Sequence, residues 1–412
     1  MDSKKMTRRA GLLGARLGHS FSPQIHALLG DYEYKLYELE ENALGDFLKA
    51  RAFDALNVTI PYKKTVIPYL DALSPRAAHI GAVNTVIRRP DGTLYGDNTD
   101  YDGLDYMIAA RGISLTGKKV LILGSGGASL TAQAVVADQG GLGVVISRGG
   151  ENNYENLDRH RDARVIINAT PVGMYPHNDG KPFSLAPFPH LEAVFDLIYN
   201  PLRTRLLQEA EARDIVAENG LSMLVAQAHR AAELFWSEAL PKGLIEEIRT
   251  HLTATQENII LIGMPGCGKS TLGRLLADAL GKKFLDADDE LVRQTGKSIP
   301  DIFATEGEDA FRRLETETLA RLTRETGTVI ATGGGVVTRP ENEALLRQNG
   351  RVVFLDIPPT GLSVAGRPLS QAHTPEALYR KRLPLYRKMA DITVPITRDV
   401  QSNLARIKEM LL

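Results

Sequence analysis

The chain carries a glycine-rich loop of the kind that cradles phosphate groups. It follows the apolar run Ile259–Ile262, precedes the helical pattern Thr271–Leu280, and reads Gly263-Met264-Pro265-Gly266-Cys267-Gly268-Lys269-Ser270. Glycines let the backbone curl so that its N–H groups point at phosphate oxygens. Lys269 is then expected to reach the terminal phosphates of a nucleotide, and Ser270 to hold Mg²⁺. The loop therefore predicts an ATP- and magnesium-binding site formed by Gly263, Gly266, Cys267, Gly268, Lys269, Ser270 and Thr271.

Carboxylates, glycines and arginines follow this loop in an order that suits a hydroxyl-bearing acceptor. Asp286 and Asp288 come after an apolar run, and two carboxylates at alternate positions of a strand end face the same way. One of them can position an acceptor hydroxyl or Mg²⁺. Gly333–Gly335 follows a strand-like run, where a backbone without side chains allows a ligand to approach closely. Arginine suits bidentate recognition of carboxylates and phosphates, and this part of the chain offers Arg312, Arg367 and Arg382.

Another glycine-rich loop, the first glycine loop along the chain (residues 124–129), predicts a dinucleotide site. It follows the apolar run Val120–Leu123, opens a helical pattern, and reads Gly124-Ser125-Gly126-Gly127-Ala128-Ser129, with serine where a third glycine is usual. Such a loop places a pyrophosphate at a helix N-terminus. The next strand-like run ends in Ile146-Ser147-Arg148, so no carboxylate is available there for a ribose 2′-hydroxyl. Arg148 suits a 2′-phosphate instead, which predicts NADP rather than NAD.

The composition narrows the classes of partner. Lys plus Arg number 49 and Asp plus Glu number 50, so the chain lacks the basic excess typical of proteins that bind nucleic acid or membrane surfaces. The single cysteine, Cys267, excludes an intrachain disulfide and favours a cytoplasmic location. Neither a membrane-spanning run nor a signal peptide is indicated. We therefore expect small-molecule substrates and no nucleic-acid or membrane partner.

Alternating strand and helix patterns must position these residues. Apolar runs at 120–124, 144–146, 165–169 and 194–197 alternate with helical segments, which is typical of a doubly wound parallel sheet. The polar segment 253–257 lacks periodicity and is predicted to be a linker. At Asn258 a second strand–glycine–helix unit begins, followed by strand-like runs at 329–331, 352–355 and 392–394. The pattern predicts two α/β parts in tandem.

From Asn258 to its C-terminus the chain resembles shikimate kinase. The motifs that carry the resemblance are the glycine loop, Asp286-Ala287-Asp288, Phe311-Arg312, Thr332–Gly335, Arg367-Pro368-Leu369 and Arg382-Leu383-Pro384-Leu385-Tyr386. The resemblance implies a P-loop, NMP-kinase-like domain in which Asp288 orients the shikimate 3-hydroxyl and accepts its proton. The carboxylate-binding and ring-contacting residues it implies are Arg312, Arg382, Gly334 and Gly335. Arg367 would lie in a closing lid and stabilise the transferring phosphoryl group. The stretch Pro358–Leu385 is short for this family, so we expect fewer contacts to adenine.

From Gly11 to Pro241 the chain resembles shikimate dehydrogenase. The motifs that carry the resemblance are Ser20-Phe21-Ser22-Pro23, Asn57–Lys63, Gly81–Thr85, Gly96–Asp100, Asn168–Met174 and Gly220–Ala228. Ser20 and Ser22 are implied to bind the substrate carboxylate, and Thr59, Asn84 and Gln227 the ring hydroxyls, with Tyr199 lining the pocket. Lys63 and Asp100 would be the catalytic pair, because a ketone that accepts hydride needs a proton donor at its oxygen. Gly220 would join Gly124–Ala128, Ser147 and Arg148 at the cofactor.

Together the two resemblances predict a bifunctional enzyme of the shikimate pathway, which leads to the aromatic amino acids. Its first part would reduce 3-dehydroshikimate with NADPH, and its second part would phosphorylate the resulting shikimate with MgATP. The predicted domains are a discontinuous substrate domain (1–101 and 221–252), a Rossmann NADP domain (102–220), the linker (253–257) and the P-loop kinase domain (258–412). The stretch from Arg148 to Val165 is short, which predicts that one helix of the NADP domain is trimmed.

Two other functions fit parts of the pattern. The first part could act on quinate with NAD, although the strand end after Ile146 has no carboxylate for an NAD ribose. It could also be a ligand-binding module that regulates the kinase without catalysis, although Lys63 and Asp100 are both present. Cofactor kinetics would decide between the two dehydrogenase functions, and an NADPH oxidation assay would show whether the first part is catalytic.

Overall fold

The computed structural model describes residues 8–18, 20–359 and 374–411. The chain divides into two compact units, residues 1–199 with 206–251 and residues 200–205 with 252–412. Within the described ranges, no helix is both long and apolar enough to cross a bilayer. Each unit is built on parallel or mixed sheets flanked by helices.

The first sheet of the first unit is mixed and carries the polar motifs near the N-terminus. Its strands, in the order β2-β1-β3-β5-β6-β4, are β1 (Arg9–Gly14), β2 (Glu33–Glu38), β3 (Ala55–Val58), β4 (Ala72–Leu73), β5 (Thr85–Arg88) and β6 (Leu94–Asp97). The helices of this part are α1 (Ser22–Leu29), α2 (Glu41–Ala50) and α3 (Pro75–Ile80). Strand β3 pairs in parallel with β1 and antiparallel with β5. Leu56 and Val58 of β3 pack in the core, so the chain that follows Val58 is held firmly.

The second sheet of this unit is all parallel and carries the first glycine loop. Its strands, in the order β11-β10-β9-β7-β8, are β7 (Lys119–Leu123), β8 (Leu142–Ile146), β9 (Val165–Asn168), β10 (Ala193–Asp196) and β11 (Val216–Asn219). The accompanying helices are α4 (Asp100–Ala109), α5 (Gly127–Asp138), α6 (Arg205–Glu211), α7 (Leu221–Trp236) and α8 (Gly243–Gln256). Strand order reverses between β7 and β9, and ligands of such sheets bind at the carboxyl ends of the strands at that point.

The stretch between β8 and β9, for which the sequence predicts a trimmed helix, contains the short 3₁₀ turn Leu157–His160. Asparagines close the loop before this turn: Asn156 Oδ1 accepts from the amide of Asn153, and Asn153 Nδ2 donates to the carbonyl of Gly150. Side-chain to backbone hydrogen bonds of this kind stabilise compact loops without regular secondary structure. The described loop therefore keeps the exit from β8 ordered although no α-helix follows it.

The sheet of the second unit is also all parallel. Its strands, in the order β13-β14-β12-β15-β16, are β12 (Asn258–Ile262), β13 (Lys283–Asp286), β14 (Thr328–Ala331), β15 (Gly350–Asp356) and β16 (Ile392–Pro395). Its helices are α9 (Lys269–Leu280), α10 (Ala287–Thr295), α11 (Ile299–Thr305), α12 (Gly307–Leu322), α13 (Pro340–Asn349), α14 (Pro375–Met389) and α15 (Val400–Leu411). Strands β12 and β14 are buried along their whole length, as expected for central strands covered on both faces.

The segment 253–257, predicted to be a linker, is helical as far as Gln256. Helix α8 buries Ile245, Ile248 and Leu252, whose spacing keeps one apolar stripe turned inward. Thr255 Oγ1 donates to the carbonyl of Leu252 at 2.9 Å, which satisfies that carbonyl within the last turn. The boundary between the two units, at His251 and Leu252, thus falls inside a helix. The polar composition predicts a linker but not its conformation, because the apolar stripe one turn earlier extends the helix through this segment.

Candidate active sites

A lysine and an aspartate meet at the edge of the first sheet. Lys63 lies in the turn after β3, and Asp100 is the first residue of α4. Lys63 Nζ lies 2.5 Å from Asp100 Oδ2, with the two side chains 20% and 12% exposed. An ammonium group in direct contact with a carboxylate, and largely shielded from solvent, can donate a proton while the carboxylate fixes its direction. The contact joins two motifs that are far apart in the sequence.

Asn84 connects this pair to helix α7. Its amide Nδ2 lies 2.9 Å from Asp100 Oδ1, 3.1 Å from Thr99 Oγ1 and 3.3 Å from Gln227 Oε1. Its carbonyl Oδ1 accepts from the amide of Thr99 at 2.7 Å. Asn84 is 2% exposed, so these bonds are made in a low-dielectric environment that strengthens them. Sequence reasoning missed Thr99, although it stands in the same motif as Asp100.

The serine loop before α1 lies beside Tyr199. Ser22 begins α1 and is buried, and its amide donates to Ser20 Oγ at 3.2 Å. The ring of Phe21, between the two serines, lies 5.3 Å from the ring of Tyr199. Burial raises the pKa of Tyr199 above its ordinary value, so its phenol stays protonated. Thr59, in the turn after β3, donates its amide to a carbonyl of β1 at 2.9 Å and keeps its side chain half-buried.

The first glycine loop comes within contact distance of Lys63. Gly124 has a φ of +105°, a conformation that favours glycine, and its amide donates to the carbonyl of Ile146 at 2.8 Å. Gly126 caps α5 and Gly127 begins it. A Cβ on Gly127 would lie 3.9 Å from Cδ of Lys63. The N-terminus of α5, where a pyrophosphate would bind, is therefore next to the Lys63–Asp100 pair. Ser125 lies exposed at the loop tip and Ala128 in the first helical turn.

The end of β8 brings Arg148 to the same edge. Because Gly124 bonds to Ile146, the next residues, Ser147 and Arg148, leave the sheet beside the glycine loop. Arg148 is exposed, and the amide of Ser147 donates to the carbonyl of Asn152 at 3.1 Å, which turns the chain back. An exposed guanidinium beside a dinucleotide loop is suited to a 2′-phosphate.

Gly220 joins helix α7 to the loop that carries Tyr199. Its amide donates to the carbonyl of Ile198 at 3.0 Å. A Cβ at Gly220 would lie 2.2 Å from the carbonyl oxygen of Leu197, which leaves no room for a side chain. The start of the helix that carries Gln227 is thus fixed against the Tyr199 loop.

In the second unit the glycine loop Gly263–Ser270, the P-loop, wraps around Lys269. Lys269 begins α9, and its Nζ donates to the carbonyls of Gly263 and the next residue, both at 3.0 Å. Gly266 and Gly268 have φ values of +85° and +89°, which the curl of the loop requires. Cys267 is buried, with Sγ 3.8 Å from Lys269 Nζ. The loop therefore has the curled backbone that the sequence predicts for a phosphate cradle.

A serine and an aspartate form an oxygen-rich corner beside the P-loop. Ser270 Oγ donates to Asp286 Oδ2 at 2.6 Å, and Thr271 follows in the same turn of α9. Hydroxyl and carboxylate oxygens are the ligands that Mg²⁺ prefers, so this corner could hold the metal. The expectation that Asp286 and Asp288 lie on one strand is wrong. Asp286 ends β13 and caps α10, accepting from the amide of Asp288 at 3.0 Å, so Asp288 lies in the first helical turn.

The carboxylate of Asp288 lies in an unusual electrostatic environment. Burial, together with the neighbouring carboxylates of Glu315 and Asp286, raises the pKa of Asp288 to about 6, although Lys269 opposes this effect. A carboxylate whose pKa approaches neutrality accepts a proton more readily than an ordinary surface aspartate. Asp288 is therefore suited to act as a base toward a bound hydroxyl.

Arg312 forms a buried ion pair with Glu315, a residue that was not among the predicted site residues. Arg312 Nη1 lies 2.7 Å from Glu315 Oε2, with the side chains 5% and 2% exposed. Burial raises the pKa of Glu315 while Arg312 opposes the shift. The other carboxylate oxygen, Oε1, has no hydrogen-bond partner among the described residues. Arg312 and Glu315 are three residues apart on α12, about one helical turn, and this spacing could have predicted the ion pair.

The three glycines after β14 each face a different functional group. A Cβ at Gly333 would lie 2.4 Å from Glu315 Oε1 and 3.0 Å from Asp288 Oδ1. At Gly334 it would lie 2.6 Å from the ring of Pro265 in the P-loop, and at Gly335 it would overlap the Arg312 guanidinium. The glycine turn thus lies where the P-loop, the carboxylates and the arginine meet, and a side chain at any of the three positions would displace one of them.

Helix α14 contributes an arginine and a tyrosine to the same turn. Arg382 Nη1 donates to the Gly334 carbonyl at 3.0 Å, and the Tyr386 hydroxyl donates to the same oxygen at 2.5 Å. Both side chains are buried, and burial lowers the pKa of Arg382 from its ordinary value. The Tyr386 ring stacks on Phe354 of β15 with centroids 4.9 Å apart. Arg367, predicted for the lid, lies outside the described residues.

Each of the two units matches a known protein family. Residues 12–86 match the family model of the shikimate dehydrogenase substrate binding domain, and residues 265–411 match that of shikimate kinase. A shikimate dehydrogenase (NADP(+)) of Shouchella clausii is 37% identical over 277 residues, 60% of this chain and 100% of that protein.

Solved structures give the same result for the first 60% of the chain. Shikimate dehydrogenase 1 from Peptoclostridium difficile has 37% identity and a TM-score of 0.55, covering 60% of this chain and 98% of that one. Shikimate 5-dehydrogenase from Thermus thermophilus, solved with NADP(H) and shikimate, has 33% identity and a TM-score of 0.55, covering 60% of this chain and 99% of that one.

These matches confirm both resemblances and the fold class predicted from the motifs, a dehydrogenase-like α/β part followed by a P-loop kinase domain. The first part of the chain is more than 30% identical to these relatives and covers nearly their whole length. Its family is therefore established. The chain belongs to the shikimate dehydrogenase family and carries, at residues 265–411, a shikimate kinase domain.

Proposed function

We propose that the chain catalyses two consecutive reactions, the reduction of 3-dehydroshikimate by NADPH and the phosphorylation of the shikimate so formed by MgATP. The observation that carries the proposal is the Lys63–Asp100 contact next to Gly127, which puts a proton donor beside the cofactor loop. The corresponding observation in the second unit is that Asp288 lies against the glycine turn, 3.0 Å from a Cβ built on Gly333, within the electrostatic influence of the P-loop lysine.

In the reduction, Lys63 protonates the ketone oxygen as it gains negative charge. NADPH, when bound, supplies the hydride to the carbonyl carbon, so the carbon is reduced and the oxygen becomes the 3-hydroxyl. Asp100 holds the ammonium in line and accepts a hydrogen bond from a neighbouring substrate hydroxyl. Asn84 fixes Asp100 through its amide, so the carboxylate keeps one orientation. Solvent then reprotonates the lysine amine.

The substrate carboxylate and ring hydroxyls are bound by residues of the first unit. Ser20 and Ser22 bind the carboxylate through their hydroxyls. Thr59, Asn84 and Gln227 bind ring hydroxyls, and Tyr199 lines the pocket beside the serine loop. Gly124–Ala128 would hold the pyrophosphate of the cofactor, and Ser147 and Arg148 its 2′-phosphate. Gly220 would join them at the cofactor.

In the phosphorylation, Asp288 orients the 3-hydroxyl of shikimate and accepts its proton. MgATP, when bound, supplies the γ-phosphoryl group, and the oxygen of the hydroxyl forms the new bond to phosphorus as the bond to ADP breaks. Arg312 and Arg382 bind the shikimate carboxylate, and Gly334 and Gly335 contact the ring.

The P-loop binds the nucleotide in this reaction. Gly263, Gly266, Cys267 and Gly268 cradle the phosphates through their backbone, together with the start of α9 at Thr271. Lys269 contacts the phosphates as the γ-phosphoryl group transfers, and Ser270, with Asp286 beside it, holds Mg²⁺. Arg367 is proposed to stabilise the transferring group.

The domain division and the cellular setting belong to the same proposal. The substrate domain comprises 1–101 and 221–252, the NADP domain 102–220 and the kinase domain 258–412. The partners are the small molecules 3-dehydroshikimate and shikimate, without nucleic acid or membrane. A cytoplasmic location is proposed from the single cysteine.

A coupled assay on the full chain tests the proposal. With 3-dehydroshikimate, NADPH and MgATP, we expect NADPH oxidation and the appearance of shikimate 3-phosphate in equal amounts. Shikimate phosphorylation without NADPH oxidation would favour a regulatory first half. NADH oxidation or activity on quinate in preference to the proposed substrates would favour the alternative dehydrogenase.

Replacing Arg148 by alanine should raise the KM for NADPH by roughly tenfold or more and change the KM for NADH little, since the lost partner is a charged 2′-phosphate. The measurement is dehydrogenase kinetics with each cofactor. Arg161→Ala is the matched control, because Arg161 is also exposed but precedes β9 and so lies at the opposite edge of the sheet. Equal losses with both cofactors would contradict the role of Arg148.

The kinase reaction should lose activity as the pH falls through about 6. Asp288 must be ionised to accept the proton, and its pKa is raised to about 6, so the active form is present above that pH and lost below it. At pH 5, we expect kcat/KM for shikimate to be about tenfold below its plateau. The profile should be measured between pH 5 and pH 8 on protein shown to remain folded. A flat profile would contradict a base with this pKa.

A further inference from the structure

The Tyr386 hydroxyl lies at the centre of the kinase site without a place in the reaction described above. It is fully buried on α14, next to Arg382 one turn earlier, and donates its proton to the Gly334 carbonyl. The tyrosine ring is already held by stacking on Phe354, so packing alone does not require a hydroxyl there. A buried hydroxyl is costly unless it is hydrogen-bonded, and here its bond is to the acceptor-binding turn.

The two bonds to Gly334 fix one peptide plane. A carbonyl oxygen has two lone pairs, and Tyr386 and Arg382 occupy both. The same planar peptide carries the N–H of Gly335, which points in the opposite direction to the carbonyl. Within residues 20–359 and 374–411, that N–H donates to no backbone acceptor, so it remains available to a ligand.

The other side of Gly334 is closed by the P-loop. A Cβ there would lie 2.6 Å from the ring of Pro265, so the turn cannot move toward the nucleotide site. On the helix side the Tyr386 hydroxyl and the Arg382 guanidinium hold it. Loss of the tyrosine hydroxyl would leave the carbonyl with a single donor and allow the peptide to rotate.

We propose that Tyr386 is a positioning residue for shikimate: through the Gly334 carbonyl, its hydroxyl sets the Gly335 N–H toward the acceptor. The inference rests on the proposed kinase function. The expected effect is on acceptor binding, because Tyr386 contacts the glycine turn. Nucleotide binding should not change, because Lys269 and Ser270 make hydrogen bonds to other residues.

Tyr386→Phe in the full chain tests this inference, since phenylalanine keeps the stacked ring and removes only the hydroxyl. We expect the KM for shikimate, and its Kd from calorimetry without nucleotide, to rise roughly three- to tenfold, as for one lost hydrogen bond. The KM for ATP should stay within about twofold of the parent value. Thermal unfolding of each variant confirms that the comparison is made on folded protein.

Tyr379→Phe is the matched control. Tyr379 lies two turns earlier on α14 and donates its hydroxyl to Asp356 Oδ1 at 2.7 Å, away from the glycine turn. The Tyr379→Phe variant should leave the KM for shikimate unchanged. The inference is overturned if Tyr386→Phe leaves shikimate binding unchanged, if both variants weaken it equally, or if the KM values for ATP and shikimate rise together. If the parent chain does not phosphorylate shikimate, the proposed function itself is wrong.

Discussion

Replacing Lys63 by alanine should lower the rate of NADPH-dependent reduction of 3-dehydroshikimate by a factor of about 10²–10⁴, the usual contribution of a positioned proton donor. The ammonium lies 2.5 Å from Asp100, beside the cofactor loop, and the described structure offers no second lysine in contact with that aspartate. Shikimate phosphorylation should stay near the parent rate, because the P-loop, Asp288 and the glycine turn belong to the other unit. Both activities are measured on the same preparation.

Lys64→Ala is the control for this variant. Lys64 is the next residue and is exposed, so its removal changes the net charge equally without touching Asp100. It should reduce 3-dehydroshikimate at close to the parent rate. If Lys63→Ala keeps most of its dehydrogenase activity, the proton comes from another group; if the folded variant loses both activities, the two reactions depend on one another.

Replacing Asp288 by asparagine should lower phosphoryl transfer to shikimate by a factor of about 10²–10⁴ while ATP still binds. Asparagine preserves the shape of the side chain but cannot accept the hydroxyl proton. The nucleotide contacts of Lys269 and the Ser270–Asp286 pair remain intact, so the Kd for MgATP should change little. The measurements are steady-state kinase kinetics and ATP binding by calorimetry.

Asp289→Asn provides the matched comparison. Asp289 is the next residue on α10 and is exposed. Its replacement removes a carboxylate from the same helical turn without affecting the glycine turn. We expect nearly full kinase activity. If Asp288→Asn phosphorylates shikimate at close to the parent rate, Asp288 is not the base, and Asp286 becomes the candidate.

Local sequence signals predicted the parts of the fold that depend on nearby residues. The P-loop and the first glycine loop could be placed between a strand and a helix because each contains its own turn glycines and apolar flanks. Most strands of the two parallel sheets could be placed in the same way, as short apolar runs, but β11 (Val216–Asn219) was not predicted. The helical conformation of residues 253–256 could not be predicted from their polar composition, because the helix is stabilised by a stripe that begins at Ile245, before the segment itself.

The finer arrangement of the sites depends on contacts between distant residues. Asn84 lies within hydrogen-bonding distance of Gln227, a separation of 143 residues, and no local pattern predicts that distance. Asp288 was expected on a strand, yet capping by Asp286 turns the chain into a helix within two residues. Glu315 could have been found from its helical spacing to Arg312, whereas the bond from Tyr386 to Gly334 could not, since 52 residues separate them.

The position of the unit boundary within α8 affects how the chain can be divided. Proteases cut exposed, extended segments, and a hydrogen-bonded helix that leads directly into β12 offers none at that place. Limited digestion should therefore spare the junction, and the two activities should persist together in a partly digested sample. A gene divided at this point would split a helical turn, so free-standing halves need a boundary chosen by the fold and not by the polar composition of residues 253–257.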